Sequence, residues 1–340
     1  MEEKDQGQLC REIHYRKTEN GVVVTGCYGT DGQVVLPDEI DGREVKGIAD
    51  YAFAENRGEE EGTLIWEIGQ TLSGGVRDRI CGGMVREIRL PSHVTEIGRY
   101  AFYRCKNLKR LLLTDSLLEI GGGAFTGCNL SEVEIHFHEG EQSCLKSILD
   151  EIRFAVRAKL CYFGDEDLGR ENTAPGRNGT KEARLLFPEH YEEAVENTPA
   201  RILFTQRHGA GGYYRQCFYD RRLDFKKYDE LFLHTVVQEK PDIAAELALG
   251  RLRYPFRLTK EAREGYETYL RGHLEDAADW LIEHGDAEGV RFLGSGGYWT
   301  GEALDYGVGA AADRKETEIL SIRMDEKHRR YPRKRRKFEL

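Results

Sequence analysis

His136 and His138 stand two residues apart in His136-Phe137-His138-Glu139, a spacing that on a β-strand turns both imidazoles to one face and so suits a metal ion. A third and a fourth ligand are not evident beside them, so the sequence assigns no metal. His208-Gly209-Ala210-Gly211-Gly212 has the glycine content of an anion-cradling loop, yet Tyr213-Tyr214-Arg215 follows where a phosphate loop needs Gly-Lys-Ser/Thr, and a plain turn is expected. Cys217 lies near His208, as a nucleophile lies near its base, but nothing supplies an orienting third group or oxyanion donors. No Gly-x-Ser-x-Gly, dinucleotide fingerprint or His-Glu-x-x-His is present. The expectation is a non-enzymatic chain with no catalytic residue and no cofactor.

Charge gives a different lead. Eight of the 50 Lys/Arg and one of the 60 Asp/Glu fall in residues 327–340, so this end carries +7 while the rest carries −17. Arg329, Arg330, Arg333, Lys334, Arg335, Arg336 and Lys337 are the candidate contacts for nucleic acid or another anionic partner, by electrostatic attraction to phosphates or acidic surfaces. An acidic body argues against a nucleic-acid surface over the whole protein. The polar start and the absence of a long apolar stretch point to a cytoplasmic protein with no membrane association, whose eight cysteines are reduced thiols.

Any such residues must be positioned by the elements around them, and the elements repeat. Leu90, Val94, Ile97, Gly98, Ala101, Phe102 and Cys105 recur 23 positions later as Leu113, Leu117, Ile120, Gly121, Ala124, Phe125 and Cys128. After the cysteine the register slips by one, and Leu108, Leu111 and Leu113 answer to Leu130, Val133 and Ile135. Upstream, Ile48-Ala49-Asp50-Tyr51-Ala52-Phe53 answers to Ile97 through Phe102, with the Asp41-Gly42 turn inserted before Val45. A unit this short cannot bury its own apolar positions, so copies must stack into a solenoid with one continuous core. Gly98 and Gly121 belong at tight corners, and Cys105 over Cys128 in an inward column of packing thiols. Ahead of the repeats, Asn20-Gly21, Asp31-Gly32 and Asp41-Gly42 predict successive hairpins, a β-meander.

The Ile-Gly-x-x-Ala-Phe-x-x-Cys units after Leu-Pro, with Val24-Thr25-Gly26-Cys27-Tyr28 and the Leu36-Pro37-x-x-Ile40-x-Gly42 segment, resemble the BspA-type leucine-rich repeat proteins of bacteria over residues 20 to 137. The resemblance implies a right-handed strand-based solenoid that binds proteins, often at the cell surface or after secretion. The chain departs from the pattern at residues 54 to 87, which hold either a decayed coil around Trp66-Glu67-Ile68-Gly69 or a looped excursion.

Downstream the period turns helical. Leu145, Ile148, Leu149, Ile152, Val156 and Leu160 predict one amphipathic helix, and Pro188 a second through Glu196, either side of a mobile polar loop at 164–182. From Tyr228 to Arg330 short helices follow, two opening alike at Thr259-Lys260-Glu261-Ala262 and Thr300-Gly301-Glu302-Ala303, where threonine caps the first turn. Asp279-Trp280-Leu281-Ile282-Glu283-His284-Gly285-Asp286 resembles the second helix of an ankyrin repeat. The fold expected is α+β: a leucine-rich-repeat β-solenoid over 1–140, a mixed helical connection over 141–226, an ankyrin-like helical array over 227–330, and a basic tail over 331–340. Both arrays offer extended surfaces, so the function expected is a protein–protein interaction scaffold, its partner a protein.

Overall fold

The computed structural model describes residues 10, 12–55, 62–67, 78–163, 181–197 and 202–331, without the side chains of 194–197 and 202–207. The expected mobile loop lies outside the described residues except for Lys181 and Glu182, and the tail lies outside them beyond Tyr331. The chain forms two compact units, 1–224 and 225–340.

The first unit opens with β1 (Glu12–Thr18) and β2 (Gly21–Gly29), an antiparallel hairpin whose two loop residues are Glu19 and Asn20. β3 (Gln33–Val35) does not continue a meander. It lies in another sheet, so the chain at Asp31-Gly32 crosses between sheets rather than turning back on β2. Gly32 is required there by crowding, since a Cβ would lie 1.8 Å from the carbonyl oxygen of Met84. β4 (Glu39–Ile40) and β5 (Arg43–Ile48) form the hairpin expected at Asp41-Gly42, whose φ angles of 52° and 70° suit a two-residue primed turn. β6 (Leu64–Glu67) settles part of the irregular stretch: Trp66 and Glu67 pair antiparallel with Ile13 and Glu12, so they belong to an excursion along the edge and not to a stacked coil. β7 (Asp78–Arg79) returns the chain alongside β2.

From there the coils of β8 (Glu87–Arg89) and β10 (Arg110–Thr114) each give one strand to each of two sheets, and the coil of β12 (Glu132–Phe137) gives one to the first. β8, β10 and β12 are parallel neighbours in this first, six-stranded sheet, while β9 (Glu96–Ile97) and β11 (Glu119–Ile120) follow β5 in the other. The repeat registers are the ones expected, with Leu111 opposite Val133, Leu113 opposite Ile135, and Ile48, Ile97 and Ile120 in one row. Phe53, Phe102 and Phe125 stack at centroid distances of 5.2 and 5.4 Å, with the fully buried Ala52, Ala101 and Ala124 beside them in sequence. Cys105 and Cys128 are buried as expected, and their thiols donate to the carbonyls of Phe53 and Phe102 in the preceding coil.

The single long helix expected over Leu145 to Leu160 is two elements. α1 (Leu145–Glu151) buries Leu145, Ile148 and Leu149, then Ile152 turns extended and β13 (Val156–Tyr162) joins β12 in parallel. Val156 and Leu160 are four apart, which fits a helix face, but Val156, Ala158 and Leu160 alternate with Arg157 and Lys159, and that strand period prevails because the open edge of β12 pairs it. β14 (Lys181–Phe187) pairs antiparallel with β13. The helix expected after Pro188 is instead strand β15 (Tyr191–Asn197), paired with β16 (Ile202–His208); ladder pairing overrides the local helical reading. α2 (Gly211–Tyr214), β17 (Phe218–Tyr219) and β18 (Arg222–Leu223) follow, so among the described residues between 141 and 226 strands outnumber helices.

Arg215 locks this end. It is 3% exposed and its guanidinium donates to the carbonyls of Leu149, Ile152, Phe154, Pro188 and Gly211, tying the C-terminus of α1 to the turn before β15. Its positive charge sits where the last carbonyls of α1 concentrate negative charge.

The second unit is helical: α3 (Phe225–Glu230), α4 (Phe232–Gln238), α5 (Pro241–Arg253), α6 (Lys260–Gly272), α7 (Leu274–Glu283), α8 (Ala287–Ser295), α9 (Gly301–Asp313) and α10 (Thr317–Arg330). Thr259 and Thr300 cap α6 and α9 as expected, each accepting at 3.2 Å from the N–H three residues on. Arg251 of α5 is fully buried and holds Asp229 at 2.7 and 3.0 Å, and the Tyr266 hydroxyl donates to the same carboxylate.

Candidate interaction face of the repeat sheet

In the strands of the six-stranded sheet, Ile88, Leu111, Val133 and Ala158 point into the core, so their neighbours point outward in rows across the coils. One row is Glu87, Arg110, Glu132 and Arg157; the next is Arg89, Leu112, Glu134 and Lys159; the third is Thr114, His136 and Cys161. The outward face is therefore a lattice of alternating charge. Arg89 pairs with Glu87 at 2.6 Å and Arg184 with Glu182 at 2.7 Å.

Glu134 is its hub. The Arg110 guanidinium, the Lys159 ammonium and the His136 imidazole each lie 2.9 Å from its carboxylate, and together they cover it to 7% exposure. Burial pushes the carboxyl up, but His136, Lys159 and Arg110 outweigh it and hold the group well below the usual carboxylate range. His136 is thus on the strand, as the sequence suggests. His138 follows beyond its end, its ring stacked on Phe163 at 4.9 Å and 6.4 Å from that of His136. The His138, Glu139 and Gly140 N–H groups all donate to the Asp115 carboxylate, which fixes this turn.

What sequence reasoning missed is Cys161. It pairs in register with His136 and is 3% exposed, and burial pushes its thiol up to about 12. The Glu134, His136 and Cys161 donor atoms lie within 4.8 Å of one another. The available signal was the alternation at Arg157, Lys159 and Cys161, concealed by the helical reading of that segment.

The other candidates stand apart. Cys217 is buried in the first unit and donates to the Tyr213 carbonyl, while the His208 side chain is exposed at the end of β16 beside Glu193 at 3.6 Å. Gly211 needs its bareness for packing, since a Cβ would lie 2.1 Å from the Pro188 carbonyl oxygen. Arg329 and Arg330 both pair with the nearly buried Glu326 of the same helix, and Arg330 also donates to the Gly294 carbonyl. Arg333, Lys334, Arg335, Arg336 and Lys337 lie outside the described residues. No helix among the described residues is long and apolar enough to cross a membrane.

Residues 81–164 match the family described as BspA type leucine rich repeat region (6 copies). This stretch is similar to BspA-type leucine-rich repeat regions. The BspA-type match begins after the edge excursion and reaches past β13, so it includes the segment expected to be helical, and it ends before the second unit. The coil carrying Ile48 and Phe53 stacks on the BspA-type coils although it precedes the match. Two solved structures are similar. A leucine rich cell surface protein from Faecalibacterium prausnitzii A2-165 is 18% identical with a TM-score of 0.24, over 42% of this chain and 38% of that one. The leucine rich repeat protein of T. pallidum is 20% identical with a TM-score of 0.22, over 38% of this chain and 72% of that one. The chain thus spans well under half the length of the first. No curated protein matches it.

Proposed function

We propose that the protein is a non-enzymatic scaffold that binds a protein partner through the outward face of its repeat sheet. Leucine-rich repeats are commonly used for protein–protein interaction, and the observation that carries the reading here is the lattice of Glu87, Arg89, Arg110 and Glu132 across consecutive coils. A regular array of both charge signs favours a partner of complementary pattern, and sets association rate and specificity more than raw affinity. The test is capture from native lysate with the whole chain as bait, beside the same chain carrying Glu87→Ala, Arg89→Ala and Glu132→Ala. Loss of a partner by the variant supports the face; a partner retained equally by both baits, or none retained by either, removes it.

A second reading rests on the +7 charge of residues 327–340. Arg329 and Arg330 are engaged by Glu326, so an anionic partner such as nucleic acid would be held by Arg333, Lys334, Arg335, Arg336 and Lys337. Changing these five to Gln should abolish low-salt retention on nucleic acid and flatten its salt dependence. Unchanged retention refutes this reading.

A further inference from the structure

The cluster around Glu134 has a composition that neither a salt-bridge lattice nor a packing role requires. A carboxylate, an imidazole and a thiol, each a different ligand chemistry, come from adjacent strands, and their donor atoms lie within 4.8 Å of one another. His136 and Cys161 are direct partners in the parallel ladder, and Glu134 is two residues before His136, so the pleat turns all three to the same outward face. We propose that Glu134, His136 and Cys161 form a binding site for a zinc-class divalent ion, with its fourth position open to solvent.

Sulfur and imidazole together select zinc over magnesium or calcium, which take oxygen ligands. Zinc holds nitrogen and sulfur at about 2.0–2.3 Å, so its ligands stand roughly 3.5 Å apart; the Glu134 and His136 donors must part slightly from 2.9 Å, and the Cys161 sulfur, within 4.8 Å of both, must settle to the same spacing. Rotation about the side-chain bonds is enough for that, because the ladder already fixes the backbones. His136 is 28% exposed in its side chain and gives the ion a way in. Arg110 and Lys159 occupy the carboxylate of Glu134 in the ion-free protein, and their side chains are 35% and 25% exposed, so both can swing to water as the ion replaces them. The inward cysteines offer no such set. Cys105 and Cys128 face backbone carbonyls inside the coils.

The experiment uses the full chain, reduced and stripped with a chelator, titrated with Zn2+ against a chromophoric competitor and with Co2+ for its spectrum. Stoichiometric binding at micromolar or tighter affinity is expected, with a thiolate-to-cobalt charge-transfer band in the near ultraviolet. Cys161→Ser should remove the band and weaken Zn2+ by at least roughly tenfold, His136→Ala should weaken it similarly, and Cys144→Ser, which alters a thiol elsewhere, should do neither. Lys159→Met removes a competing cation and should tighten binding by roughly tenfold, an outcome that misfolding cannot produce. Failure of the wild-type chain to bind Zn2+ stoichiometrically, or affinities indifferent to Cys161→Ser and His136→Ala, overturns the site. Either result leaves the protein-scaffold reading standing, because that reading is measured by partner capture.

Discussion

The backbone N–H of Phe125 donates to the Glu151 carboxylate at 2.7 Å, at the level where the N–H groups of Phe53 and Phe102 reach the carbonyls of Ala101 and Ala124 in the following coil. The other oxygen of Glu151 accepts from Gly123 at 2.7 Å. One side chain at the end of α1 thus supplies both acceptors that another coil would have supplied, and closes the stack. Open solenoid ends need such a cap.

Glu151→Ala should destabilise the first unit by about 2–4 kcal/mol, because two N–H groups lose their acceptors. Glu151→Gln keeps one carbonyl oxygen and should recover part of the loss. Thermal melting of the three proteins, followed by far-ultraviolet circular dichroism, checks the order.

Gly98 and Gly121 are glycines because coils stack too closely for a side chain. A Cβ on Gly98 would lie 2.4 Å from the backbone nitrogen of Asp50, and one on Gly121 the same distance from that of Arg99. Either change to Ala should cost about 2 kcal/mol or more, whereas Gly122→Ala, which meets nothing within 4 Å, should stay within about 0.5 kcal/mol. Equal effects at Gly121 and Gly122 in chemical denaturation would contradict the stacking account.

Among the described residues of the second unit, two arginines are buried, with different consequences. Arg323 is fully buried, lies 4.1 Å from the Trp299 ring and donates once, to the Ala303 carbonyl, while its Nε and Nη2 have no hydrogen-bond partner. Burial pulls its pKa down to about 10. Arg323→Met should therefore be neutral or stabilising by about 1 kcal/mol, while Arg251→Met strands the Asp229 carboxylate and should cost about 3–5 kcal/mol. Urea denaturation of the two variants gives the comparison directly.

His190 makes stability depend on pH. Burial first, then the nearby Arg215, and Arg153 to a smaller extent, hold its pKa below 6.5 against the opposing pull of Glu192, and its Nδ1 is buried without a partner. The folded state therefore binds this proton less readily than the unfolded state. Its share of stability is full above 6.5 and falls as pH drops through and below that value. His190→Gln should flatten the stability profile as pH falls through and below 6.5, and a profile unchanged by the substitution would falsify the assignment.

Much of this was legible in the chain itself. The 23-residue recurrence, its one-residue slip after the cysteine and the paired Thr259 and Thr300 caps all follow from local chemistry and period, and each appears in the structure where it was expected. Where local period allowed two answers, sequence failed. Val156 and Leu160 satisfy both a helix and a strand, and only the unpaired edge of β12 makes them a strand.

Repeats are written into a sequence because every coil meets the same neighbours, so the same residue types return at the same spacing. Partnerships between dissimilar segments leave no such period. Glu151 over Phe125, Arg215 among the carbonyls of Leu149, Ile152, Phe154 and Pro188, and Cys161 beside His136 join residues 26, 27 to 66 and 25 positions apart. The sequence by itself determined the coil; the tertiary structure decided how the coil ends and which outward side chains converge, because those contacts exist only once the chain has folded back on itself.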